Sequence, residues 1–194
     1  KDSTKGIGTV TYYRMDTNEF ASLGHSLNDN ENIIEQGNVY EAPISSIKKS
    51  SNLEIGQKIG NIQNSSLGKI EKNNDYGVFG TVGSLPKNNV YQTASQEEIK
   101  TGDAYFLTVL KNNEIKKCKI RIDQIIKQDQ PAEKGIHFTL IDQDVIDLTN
   151  GIIQGMSGSP IIQNNKLIGC ITHASSQNNL QGYGMFIQWM IDNS

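Results

Sequence analysis

The sequence predicts a mainly β protein of two β units with a short helix at its carboxyl end, and three observations carry that prediction. Short runs rich in β-branched and aromatic residues recur along the chain, separated by Gly, Asn and Ser. Helical periodicity is hard to find across the same stretches. A chain of 194 residues with 36% hydrophobic content can bury one large or two small β cores.

Taken in order, Gly6 to Arg14 and Glu19 to Gly24 read as strands around the turn Met15-Asp16-Thr17-Asn18, and His25 falls where the second strand ends. Short strands at Asn38 to Ile47, Lys58 to Gln63, Lys69 to Glu71 and Tyr76 to Val82 complete a first half over residues 1–85. The run Ser84 to Asn89, with Pro86 inside it, joins this half to the second, residues 86–194. There Val90 to Ser95, Ala104 to Lys111 and Glu114 to Gln124 predict three strands, with Asn112-Asn113 as a hairpin turn. In the last of them Cys118, Ile120 and Ile122 share a face, which puts the thiol inside. Gln128 to Gly135, polar and containing Pro131, reads as a surface loop open to proteolysis. Ile136 to Ile141 is a strand in which His137 is expected half-exposed. Asp142 to Leu148 reads as one or two helical turns with Asp142 placed to cap them. Pro160 to Gln163 and Lys166 to Thr172 form a hairpin about Asn164-Asn165. A polar loop from Ser175 to Gln181 then leads to the strand Gly182 to Ile187, and Gln188 to Ile191 closes as a short helix.

Composition narrows the function. Eighteen basic and twenty-one acidic side chains leave a formal charge of -3 with no basic run, so nothing points to nucleic acid and a protein partner is more natural. No run of about 18 apolar residues exists, so no transmembrane helix is predicted. With Lys1 first and no signal sequence, the chain is expected to be a mature product or a trimmed one. Cys118 and Cys170 are the only cysteines and lack Cys-x-x-Cys spacing, which disfavours a metal; buried thiols and a disulfide both remain open.

The chemistry concentrates in Gly155-Met156-Ser157-Gly158-Ser159-Pro160, followed by the apolar pair Ile161-Ile162. A serine between glycines just before a buried strand is placed to deliver a hydroxyl. The N–H groups of Gly155 and Ser157 can then converge on a developing oxyanion. The α/β-hydrolase elbow fails because position 159 is Ser and the following residues are strand-like. A phosphate loop fails because no lysine appears until Lys166. Ser159 is the other candidate nucleophile, but only Ser157 sets its own N–H beside that of a glycine two residues earlier; Ser159 is expected to bond the loop to itself. Histidine side chains titrate close to neutral pH, so His25 at a strand end suits proton transfer, with Asp29 placed to order the same loop.

Ser157 in its frame, the hairpin, Gly182-Tyr183-Gly184 and Trp189 together resemble the second half of a chymotrypsin-like protease. Ile153 to Ile162, Leu23-Gly24-His25, and Gly68-Lys69-Ile70 with Gly77-Val78-Phe79-Gly80 resemble more closely the SpoIVB peptidases, the sporulation stage IV signalling serine proteases of endospore-forming bacteria. The resemblance implies a two-barrel chymotrypsin-like fold and serine endopeptidase activity. In it His25 is general base and acid, Ser157 the nucleophile, and Gly155 and Ser157 the oxyanion site, with no metal or cofactor. The SpoIVB pattern places its aspartate fifteen residues before the nucleophile, at Asp142, whereas the chymotrypsin analogy draws the acid from the first half, at Asp75. Asp144, Asp147 and Asp29 are the remaining candidates. Thr172, His173 and Ala174 lie where such enzymes pair with the substrate backbone. By the chymotrypsin analogy the specificity floor falls near Gly151, whose neighbours Ile152 and Ile153 favour an uncharged residue before the cleaved bond.

The resemblance further implies an upstream membrane segment and PDZ-like domain, and secretion from the forespore into the space facing the mother cell. Cleavage would fall on the protease itself and on a membrane-tethered regulator of an intramembrane protease that processes a mother-cell sigma factor precursor. The alternative is a noncatalytic scaffold that binds extended peptides in the same cleft.

Overall fold

The computed structural model describes residues 5–29, 32–87 and 89–194. In the first half, β1 (Val10–Tyr13) and β2 (Glu19–Ser22) pair antiparallel around a turn in which Asn18 takes φ +56, a conformation asparagine tolerates well. Two short strands follow His25, β3 (Asn28–Asp29) and β4 (Asn32–Ile33), and then β5 (Gly37–Tyr40). β6 (Ile44–Lys48) and β7 (Gln57–Gly60) form a separate hairpin. β8 (Ser66–Asn74) and β9 (Gly77–Val82) return to complete a five-stranded sheet in the order β1-β2-β9-β8-β5.

The second half is a closed barrel. After β10 (Gln92–Thr93) come β11 (Gly102–Lys111), β12 (Glu114–Ile125) and β13 (Ile136–Leu140). Helix α1 (Gln143–Thr149) follows, then β14 (Pro160–Gln163), β15 (Lys166–Ala174), β16 (Gln181–Phe186) and helix α2 (Ile187–Asp192). The ring runs β15-β14-β11-β12-β13-β16 and closes where β16 pairs again with β15, which leaves none of its six strands an unpaired edge. Period-two alternation explains the closure: Phe106, Cys118, Ile120, Ile122, Ile136 and Phe138 all point into the ring and are fully buried. Each of these isoleucines and phenylalanines contributes about 1.5–3 kcal/mol by leaving water.

The segment expected as a strand over Val90 to Ser95 shortens to β10, which pairs with β15 in parallel through two residues only. Ser95 then opens a 3-10 turn over Gln96–Glu98, its N–H donating to the Glu98 carboxylate at 2.8 Å. Asn164 and Asn165 turn the β14–β15 hairpin at φ +49 and +60, the left-handed pair that a two-residue hairpin demands. Cys118 and Cys170 are both buried free thiols, and burial pushes each up to about 12.

The halves meet through a second apolar cluster that sets Ala21 and Phe79 of the first sheet against Ile162, Cys170, Met185 and Met190. Hydrogen bonds reinforce the seam. Ile44 and Asn112 exchange two backbone bonds of 2.8 Å, and Lys58 N–H donates to the Gln154 carbonyl at 3.0 Å.

Candidate active site

The serine loop is held from outside its own half. Thr9 N–H donates to the Ser157 carbonyl at 3.0 Å, Thr9 Oγ1 to the Gly155 carbonyl at 2.8 Å, and Thr11 Oγ1 to the Gly158 carbonyl at 2.7 Å. Gly158 is required for this approach, because at φ +87 an added Cβ would lie 2.1 Å from the Thr9 carbonyl oxygen and 2.4 Å from Leu23 N. Within the loop Met156 N–H bonds Ile153, Gly158 N–H bonds Ile171 and Ser159 N–H bonds Met156. Among the described residues, the N–H groups of Gly155 and Ser157 alone in this stretch have no acceptor. Two unspent donors flanking a serine hydroxyl are what a developing oxyanion requires.

His25 arrives by a tight reversal. At the end of β2 the Gly24 N–H donates to the Ser22 carbonyl at 2.9 Å, closing a three-residue γ-turn around Leu23, which takes φ +69. Gly24 then packs against β15 so closely that a Cβ there would stand 2.8 Å from Cys170 Sγ. The turn delivers His25 to the Ser157 cleft: both residues line a groove of about 1240 Å³ and an adjoining hollow of about 420 Å³. His25 Nδ1 lies 2.9 Å from the Ser26 carbonyl oxygen. A carbonyl only accepts, so Nδ1 carries the proton and Nε2 keeps a free lone pair. Ser157 Oγ rests on the Thr172 carbonyl at 3.3 Å, a long and therefore weak O–H···O bond.

Asp142, expected to orient the imidazole, does something else. Its carboxylate caps α1, accepting from Val145 N–H at 3.4 Å, and takes Lys119 N–H on β12 at 3.2 Å. The structure does not bring it to His25, because the residue sits at the start of α1, outside the cleft, where free helical N–H groups claim its oxygens. Asp75 is exposed in the β8–β9 turn; Asp29 lines the large groove with His25. Asp144 lies in the first turn of α1, and Asp147, further along it, accepts from the Gln143 amide at 2.7 Å. Ser159 does not bond the loop through its side chain, for its buried Oγ has no partner among the described residues.

Thr172, His173 and Ala174 all line the smaller hollow, with Ile152 and Ile153. So does Glu133, from the segment expected to be a plain surface loop. That segment is tied inward: Thr172 Oγ1 donates to the Glu133 carbonyl at 3.0 Å, and Glu133 Oε2 lies 3.8 Å from His173 Nε2. The His173 ring lies 5.9 Å from that of His25. Burial lowers the His173 pKa against the opposing pull of Glu133. His137 is half-buried and packs edge-on to Tyr183, away from this cleft.

Sequence reasoning also missed Lys58. It lies on β7, where the alternation is inverted: Lys58 is 6% exposed while neighbouring Ile59 is 42% exposed. Nothing in the local run Gln57-Lys58-Ile59-Gly60 marks the lysine as the enclosed residue.

A closed β-barrel packed on a second β sheet, with a cleft that brings together a serine from one half and a histidine from the other, has the architecture of the chymotrypsin-like fold. Comparison with known families agrees: residues 1–191 match the family described as SpoIVB peptidase S55. The chain belongs to this family. Among solved structures it is similar to the Rv3671c protease of M. tuberculosis. The active form has 16% identity and a TM-score of 0.49, covering 72% of this chain and 62% of that one. For the inactive form the identity is 16% and the TM-score 0.48, covering 72% and 71%. The chain thus spans under two thirds of the active-form relative's length. No curated protein sequence matches it.

Proposed function

We propose that Ser157 is the nucleophile of this endopeptidase, that His25 is its general base and acid, and that the N–H groups of Gly155 and Ser157 hold the oxyanion. One observation carries the reading: among the described residues, the two loop N–H groups without acceptors flank the hydroxyl that shares a cleft with His25. In the first step a rotation of Ser157 frees its hydroxyl from the Thr172 carbonyl and presents it to Nε2. As Oγ attacks the peptide carbonyl, its proton passes to Nε2, and the carbonyl electron pair moves onto oxygen between the two N–H donors. Collapse expels the amine, which takes the Nε2 proton; water then repeats the sequence to release the acid. The Ser26 carbonyl keeps Nδ1 protonated throughout, the orienting task expected of an aspartate. An extended substrate would lie along Thr172 to Ala174, which line the smaller hollow.

By family membership the substrates are read as the protease itself and a membrane-tethered regulator in intercompartmental sporulation signalling, met outside the cytoplasm after secretion from the forespore. The experiment is one substitution with two readouts. Ser157→Ala is expected to abolish labelling by a fluorophosphonate and, in a spore-forming host, to halt processing of the mother-cell sigma factor precursor; His25→Ala should slow labelling at least about a thousandfold. Undiminished labelling of the Ser157 variant would remove the nucleophile assignment. Normal precursor processing with labelling lost would remove the signalling role while leaving the chemistry.

A further inference from the structure

Lys58 has no carboxylate partner among the described residues, yet it is almost wholly enclosed beneath the serine loop. Its Nζ donates to Thr108 Oγ1 at 2.5 Å and lies 3.4 Å from Thr9 Oγ1. That Thr9 hydroxyl spends its own hydrogen on the Gly155 carbonyl. The stem runs directly under Gly155: a Cβ at position 155 would stand 2.9, 3.0 and 3.1 Å from Cδ, Cγ and Cβ of Lys58. The Lys58 backbone N–H meanwhile fixes the Gln154 carbonyl, the other end of the peptide unit whose N–H belongs to Gly155.

We infer that Lys58 is a positioning residue of the oxyanion site: its N–H and stem set the plane of the Gln154–Gly155 peptide so that the Gly155 N–H faces the cleft. The amine anchors the stem from below, between two hydroxyls contributed by opposite halves of the molecule. Two hydroxyls and no anion suit an uncharged amine, and burial takes its pKa down to about 7. This assignment rests on the reading of Gly155 N–H as an oxyanion donor.

The test compares Lys58→Ala, which removes stem and anchor, with Lys58→Met, which keeps the stem. Both are read by the second-order rate of fluorophosphonate labelling and by the Gly155 amide resonance in glycine-labelled protein. Lys58→Ala is expected to slow labelling at least thirtyfold and to move the Gly155 resonance. Lys58→Met should regain at least tenfold of that loss and return the resonance towards its wild-type position. Wild-type labelling by Lys58→Ala, or a methionine variant no better than the alanine one, overturns the inference. If Lys58→Ala fails to fold, a displaced Gly155 resonance in folded Lys58→Met overturns it instead. If wild-type Ser157 takes no label at all, the protease mechanism fails, and the resonance still reports whether Lys58 sets the Gly155 peptide.

Discussion

Leu23 holds a backbone conformation that a bulky side chain adopts at a cost of about 1–3 kcal/mol, and it does so directly before the glycine and histidine that enter the cleft. The strain is sustained by the seam around it: Leu23 N–H bonds Thr9, and Gly24 is pressed on Cys170 and Thr172. Asp142 presents the opposite situation, a residue whose chemistry suggests catalysis and whose bonds are structural. Removing a cap of this kind costs about 1 kcal/mol. Asp142→Ala should therefore lower stability to urea by about that amount while labelling of Ser157 slows less than about tenfold. Loss of a true orienting carboxylate would slow it about ten-thousandfold, and that result would restore Asp142 to the mechanism.

At the scale of elements, Asn73 ties β8 to the stretch that follows His25. Its Oδ1 accepts from Leu27 N–H at 2.9 Å, and its Nδ2 donates to the carbonyls of Leu27 at 2.6 Å and Ile34 at 2.9 Å. One amide thus satisfies three backbone groups of a segment that has little sheet of its own. Asn73→Ala should cost about 2 kcal/mol in unfolding free energy and slow labelling about ten- to a hundredfold by letting the imidazole drift. A rate within twofold of wild type would show that His25 is aimed without it. These ties mark the limit of what the sequence discloses. The serine loop stands out in the sequence because Gly155 and Gly158 frame Ser157, and β12 because Cys118, Ile120 and Ile122 alternate with polar residues. Lys58, Glu133 and Asn73 do not, since each acts on a residue far along the chain and none belongs to a local pattern. Spacing from the nucleophile, likewise, says nothing about which N–H groups the Asp142 carboxylate meets.

Across the whole molecule, the Lys58 amine is a protonation site enclosed between the two halves, reaching Thr9 on one side and Thr108 on the other. Its pKa falls from an ordinary 10.5 to about 7 on folding, with Cys118 the charged-capable group facing it. Between those values the unfolded chain holds a proton that the native one lacks, so stability rises with pH through that window and the penalty is complete below pH 7. Above about pH 9 the two buried thiols act in the other direction, because their raised pKa values keep protons that the unfolded chain releases. Urea unfolding at pH 7 and pH 9 should accordingly show the wild type gaining about 2 kcal/mol on Lys58→Met over that interval. At pH 7 the methionine variant should be the more stable by at least about 1 kcal/mol. Parallel pH profiles for the two proteins would mean that the amine is not neutral in the native state.

The hydrogen bond from Thr11 to Gly158 joins residues 147 positions apart, and the bonds from Thr9 span nearly as much of the chain. Contacts between such distant positions require closing a very long loop, so they form late and slowly when a polypeptide folds. The reactive loop consequently takes its working shape only after the rest of the molecule has assembled around it, and an incompletely folded protease carries an incomplete cutting site.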